Sequence, residues 1–218
     1  MKKTMLNALV VAAVLSPAVA FAQTAKTKPT TATYIMKDEI DQVSNSEQSK
    51  RVVDENTKVI DLGYENFTVG VIHRASTRNP APATPARRGN KGRAAAQVET
   101  CGQQMASLPP GGTPGGIVHD FQTEGYYIVS GGGTMFTDGY IVNGRHSNNN
   151  APGGPNGPGC GGTAYGVKKV VVKPGDAVII PAGVVHGWAD VPDHVDYLSF
   201  RPSQNVLQAG WVNPTITK

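Results

Sequence analysis

The sequence predicts an all-β protein, an antiparallel sandwich or barrel with one short helix ahead of it. Short segments rich in Val, Ile, Tyr and Thr recur along the chain, with Gly, Pro, Asn or Asp between them. Helical periodicity is almost absent beyond the N-terminal part, and such a pattern belongs to sheets packed on themselves.

The 218 residues suit one domain with long loops. The first 22, MKKTMLNALVVAAVLSPAVAFA, read as a secretory signal. Lys2 and Lys3 form the basic start, Met5 to Leu15 the apolar stretch, and Ala20-Phe21-Ala22 the cleavage end. That stretch is too short to span a bilayer, and no later segment approaches the length needed. A periplasmic or secreted mature protein without a transmembrane segment is expected. Residues 23–33 (QTAKTKPTTAT) are polar and read as a flexible leader, followed by a domain over 34–218.

In that domain, YIMKDEIDQV places Ile35, Ile40 and Val43 at helical spacing. The pattern then turns to strands: TKVIDLG, NFTVGVIHR, AQVETCGQQM, GIVHDF, GYYIVSG, GTMFTDGYIV, YGVKKVVV, DAVIIP, VVHGWADV and DYLSFRP. Two loop insertions interrupt them, at about 75–94 and at 143–162 (NGRHSNNNAPGGPNGPGCGG), where the Gly, Asn and Pro content argues against regular structure.

The formal charge of +4 includes Lys2 and Lys3, so the mature chain is near +2. Arg74, Arg78, Arg87, Arg88, Lys91 and Arg93 form a basic run without an acidic residue. It reads first as a solvated loop, and otherwise as a docking site for an anionic surface. No aromatic residue interleaves with these charges, which argues against nucleic acid as a partner. Cys101 and Cys160, in an oxidising compartment, form a disulfide or remain buried thiols; their separation fits no zinc or redox motif.

Two stretches carry the chemistry. In GGIVHDFQTEGYYIVSG, His119 is followed by four residues, Glu124, six residues and Gly131. In GDAVIIPAGVVHGWAD, Gly175 is followed by five residues, Pro181, one residue, Gly183, two residues and His186. Together these resemble the paired motifs of the cupin superfamily, with Asp190 where the family closes on asparagine. The resemblance covers roughly residues 115–190. It implies a double-stranded β-helix, a jelly-roll barrel, and it allows a homodimer paired through sheet edges. Independently of it, Gly131 begins GGG, where a hairpin can turn without steric cost.

The resemblance also implies a site for one divalent transition metal (Fe, Mn, Ni, Zn or Cu), held by His119, Glu124 and His186. Most metal-binding cupins have a further histidine two residues before the first; Ile117 stands there. What remains has the composition of a two-histidine, one-carboxylate triad with open positions. Tyr126 and Trp188 share the inward faces of their strands with these ligands. His73 and Arg201 complete the candidate substrate pocket, and Arg74 or Arg201, each at a strand end, can grip a substrate carboxylate bidentately. His146 and His194 fall in loops, and Asp190 is assigned to orienting backbone.

The implied function is a periplasmic metalloenzyme acting on a small oxygen-bearing organic substrate, of the dioxygenase, isomerase or decarboxylase type. The alternatives are a non-catalytic cupin binding a small carbohydrate or organic acid, and an interaction protein using the basic loop.

Overall fold

The computed structural model describes residues 28–45, 51–78, 99–147, 156–204 and 206–217. The expected signal sequence and most of the basic loop, including Arg87, Arg88, Lys91 and Arg93, lie outside them.

One helix, α1 (Lys37–Asn45), precedes twelve strands. The first six are β1 (Val52–Asp61), β2 (Asn66–Ala75), β3 (Thr100–Cys101), β4 (Thr113–His119), β5 (Glu124–Gly131) and β6 (Gly133–Thr137). The remainder are β7 (Tyr140–Ser147), β8 (Gly159–Tyr165), β9 (Lys168–Val172), β10 (Ala177–Ile180), β11 (His186–Asp190) and β12 (His194–Ser203). A five-stranded sheet runs β1-β2-β12-β5-β10, and a seven-stranded sheet runs β3-β7-β8-β4-β11-β6-β9. Every pairing between these strands is antiparallel. The all-β expectation holds.

The core lies where the sheets face each other. Ile72, Ile128, Ile180 and Tyr197 of the five-stranded sheet pack with Met135 and Val172 of the seven-stranded one. In the helix, the Glu39 carboxylate accepts a hydrogen bond from the Met36 backbone N–H at 3.0 Å, closing its first turn, and Val43 is buried. Pro29, Thr31, Ala32 and Thr33 of the expected leader, with Ile35 and Ile40, lie against the outer side of the five-stranded sheet. They line an apolar groove of about 570 Å³ with Ile60, Phe67, Val69, Leu198 and Phe200.

Three expectations need correction. GTMFTDGYIV is two strands, β6 and β7, because Asp138 and Gly139 both take positive φ (69° and 76°) and break the extended run, and the two strands are not neighbours in the sheet. Gly131 does not turn a hairpin: β5 and β6 belong to different sheets, so the glycines at 131–133 carry the chain from one sheet to the other. The loop at 143–162 is shorter than its composition suggests. Residues 143–147 belong to β7 and 159–162 to β8. These glycines serve close packing, since a Cβ on Gly162 would meet Ile141 Cγ2 at 2.7 Å, and one on Gly144 would meet Cys160 Sγ at 2.6 Å.

Cys101 and Cys160 are bonded, joining the short β3 to β8 across a separation of 59 residues. Constraining a loop of that length in the unfolded state stabilises the fold by about 4 kcal/mol. The double variant Cys101→Ala/Cys160→Ala is expected to lose about that much in a denaturant titration. An unchanged midpoint and slope would show that the bridge contributes nothing to stability.

Candidate metal centre

The site forms where two sheets present three side chains to one point. His119 ends β4 and His186 opens β11, neighbouring strands of the seven-stranded sheet, with Ile117 opposite His186 in the register. Glu124 opens β5 in the facing sheet. Between β10 and β11 the chain turns at Pro181-Ala182-Gly183, with the Val184 N–H donating to the Pro181 carbonyl at 3.1 Å. Gly183 sits at φ +83°, the third position of a type II turn, and nothing crowds it there, so conformation rather than space calls for glycine. The Gly183 N–H also donates to the His119 carbonyl at 2.8 Å, tying the turn to the end of β4.

All three side chains are buried, with exposures of 7% for His119, 1% for Glu124 and 2% for His186. One ligand atom from each can be chosen so that all three lie within 4.8 Å of one another. Glu124 Oε2 stands 3.3 Å from His119 Nε2 and 3.1 Å from His186 Nε2. Neither nitrogen has a hydrogen-bond partner among the described residues. His186 Nδ1 lies 3.0 Å from the Val184 carbonyl, which can only accept, so the ring proton sits on Nδ1 and the Nε2 lone pair faces the cluster.

This donor set fits a divalent transition ion. Ligand atoms bound at about 2.1 Å in tetrahedral or octahedral geometry lie roughly 3.0–3.4 Å apart, as the two nitrogen-to-carboxylate distances do. Two orphaned, buried imidazole nitrogens beside a carboxylate are costly without a cation to satisfy them.

Glu124 is held from behind. Its Oε1 accepts from Arg201 Nε at 2.9 Å and Ser199 Oγ at 3.2 Å, and its Oε2 accepts from the Tyr126 hydroxyl at 2.8 Å. Burial pushes the Glu124 carboxyl up, but the Arg201 guanidinium beside it holds it well below the usual carboxylate range. Burial pushes the Tyr126 hydroxyl well above the ordinary tyrosine value, with Tyr197 and Glu124 adding to the effect, so it stays a proton donor at neutral pH.

Arg201, only 1% exposed, also reaches Asn56 Oδ1 at 2.9 Å and Asp54 Oδ1 at 2.6 Å. Space for it comes from Gly70, where a Cβ would meet the guanidinium carbon at 2.8 Å. Arg201 is therefore not a pocket residue. It orients Glu124.

A cavity of about 230 Å³ adjoins His186. Tyr126, Trp188, Ile117, Val191 and Arg74 line it. Tyr126 and Trp188 thus stand where the sequence placed them, and Ile117 walls the cavity instead of offering a fourth ligand. His73 does not join them. It lies on the outer side of β2, with Nδ1 2.6 Å from Asp196 Oδ1 and its ring 6.4 Å from that of His194. His146 pairs with Asp120 at 3.1 Å. Asp190 grips Arg78 through two hydrogen bonds, at 3.0 and 2.6 Å, and so fastens the start of the basic run rather than orienting backbone alone.

Asp54, Asn56 and Ser199 escaped the sequence reading. No local motif marks them, because each acts only through Arg201 or Glu124. Among the described residues, no helix is long and apolar enough to cross a membrane. Compared with protein-family models and with curated proteins, the chain matches none.

Arg201→Met leaves Glu124 buried, and Asp54 half-buried, without their cation, and a loss of about 3–5 kcal/mol is expected. Ionised Glu124, with its pKa depressed in the fold, contributes stability that is fully present above its unfolded value of about 4.3 and is lost as pH falls through the folded value. The deficit of Arg201→Met in metal-free buffer should therefore be largest near neutrality and shrink on acidification below about pH 4.3. A deficit independent of pH would contradict the assignment.

Proposed function

We propose that the chain is a cupin-type metalloenzyme, a double-stranded β-helix barrel that holds one divalent transition metal on His119, Glu124 and His186. Its substrate is a small oxygen-bearing organic molecule bound in the adjoining cavity. The observation that carries this reading is the pair of buried, unpartnered Nε2 atoms converging on a carboxylate at metal-ligand spacing. Supporting it are the two sequence motifs and the arrangement of facing antiparallel sheets that brings them together. The signal-type N-terminus and the disulfide fit a protein working outside the cytoplasm.

A bound ion with three protein ligands and open positions supplies Lewis-acid or one-electron chemistry. The chain's own residues determine how precisely that chemistry is placed. Arg201, Ser199 and Tyr126 fix both oxygens of Glu124. The Val184 carbonyl fixes the tautomer of His186. Such partners behind the ligands commonly carry ten- to hundredfold effects on metal affinity or activity. Ile117, Tyr126 and Trp188 enclose a small space beside His186, which limits water and selects short substrates.

Protein expressed with its own leader, purified without an affinity tag and stripped by a chelator, provides the test. Fe(II), Mn(II), Ni(II), Zn(II) and Cu(II) are restored one at a time. Turnover of small hydroxy acids, oxo acids and sugars is followed by NMR with an oxygen electrode. Turnover restricted to one or two of the metals, and absent in His119→Ala, is expected. Turnover that survives chelation would sink the metalloenzyme reading, and absence of turnover with every metal would favour a binding module.

A further inference from the structure

Of the two arginines that could meet an anionic substrate, Arg201 is consumed by Glu124, Asp54 and Asn56. Arg74 is not. It stands on β2, and its Nε donates to the Tyr197 hydroxyl at 3.0 Å. Among the described residues no carboxylate lies within ion-pair distance of it, although the charge of Asp54 acts on it from further off, and its two terminal nitrogens have no hydrogen-bond partner. Arg74 is partly buried and lines the same cavity as His186. A guanidinium is charged at every relevant pH. The terminal nitrogens of Arg74 are not among the fully buried polar atoms without a partner, so water reaches them in a cavity walled by Tyr126, Trp188, Ile117 and Val191. An anion entering there can replace that water and meet both at once.

We propose that this cavity takes a small organic carboxylate and that Arg74 is the residue that grips it. The metal reading given above supplies only the second point of contact, at the His186 end. A carboxylate is planar and offers two oxygens, which matches the two free nitrogens of the guanidinium fork. The local charge favours the same class. Glu124 and Asp54 already share Arg201. A divalent ion and Arg74 would together leave the cavity with an excess of positive charge, which selects an acid over a neutral sugar or amide. At about 230 Å³ the space falls below the roughly 300–1,000 Å³ of drug-sized pockets, so the acid is a short one. The aromatic and aliphatic walls suit a compact, partly apolar body.

Isothermal titration calorimetry decides the matter, using the untagged mature protein in metal-loaded and chelator-stripped forms. The probes are glycolate, pyruvate, oxalate and benzoate, beside the neutral glycolamide and benzamide. At least one acid is expected to bind, and glycolate or benzoate to bind at least about tenfold more tightly than its amide. Arg74→Gln should weaken acid binding about 10- to 100-fold while metal content stays unchanged. Arg74→Lys, which keeps the charge and loses the fork, should fall between; it also serves as the decisive variant if Arg74→Gln does not fold. The proposal is overturned if no acid binds, if both acids bind no better than their amides, or if acid binding is the same without Arg74. Acid binding that depends on Arg74 in a protein unable to hold metal would uphold this assignment and refute the metal reading. Metal binding with acid affinity indifferent to Arg74 would do the reverse.

Discussion

Arg201 occupies the centre of the molecule's polar interior. It is almost completely buried, its charge is shared between Glu124 and Asp54, and Asn56 and Ser199 take part in the same network. A buried ion pair of this kind contributes little net stability compared with an apolar core of the same shape, although breaking it is severe. Its presence is better explained by position. Glu124 has to be ionised, rigid and aimed at two imidazoles. A fixed cation behind it achieves all three in a way that Leu or Met could not. Gly70 exists in β2 to make room for that cation.

The sheets supply the rest of the geometry. His119 and His186 come from adjacent strands of one sheet and Glu124 from the other, so the cluster forms only when the two layers close on each other. The type II turn through Gly183 and its hydrogen bond to His119 join the two halves of the site within the seven-stranded sheet. Adjacent to them, Arg74 brings a second cation to the cavity from β2. The two arginines therefore divide the work, one facing the ligand carboxylate from behind and the other facing open space.

What could be read from the sequence was local. His119, Glu124 and His186 are fixed by short spacings inside two motifs, and Cys101 and Cys160 had only each other to pair with. Strand parity in β2 could not be read. Phe67 and Val69 face an apolar groove on the outer side while Ile72 enters the core, so NFTVGVIHR is apolar on both faces and its alternation is erased. That is why His73 was placed in the pocket, whereas Arg74, one residue on and therefore on the opposite face, is the one that lines it. The start of β1, VVDEN, was missed because Asp54 and Asn56 look like surface residues until Arg201 arrives from a strand 147 positions later. Glycines at 144, 159 and 162 signalled a loop by composition, yet they permit strands to pack closely.

The central claim is that His119, Glu124 and His186 hold a metal ion. Mass-spectrometric metal analysis of untagged protein tests it most directly, beside Glu124→Ala, His186→Ala and, as controls, His73→Ala and His146→Ala. Near-stoichiometric metal in the wild type and both controls, lost in Glu124→Ala and His186→Ala, is the predicted result. A folded wild type that carries no metal and takes none on reconstitution, or metal retained when Glu124 and His186 are removed, would contradict the account.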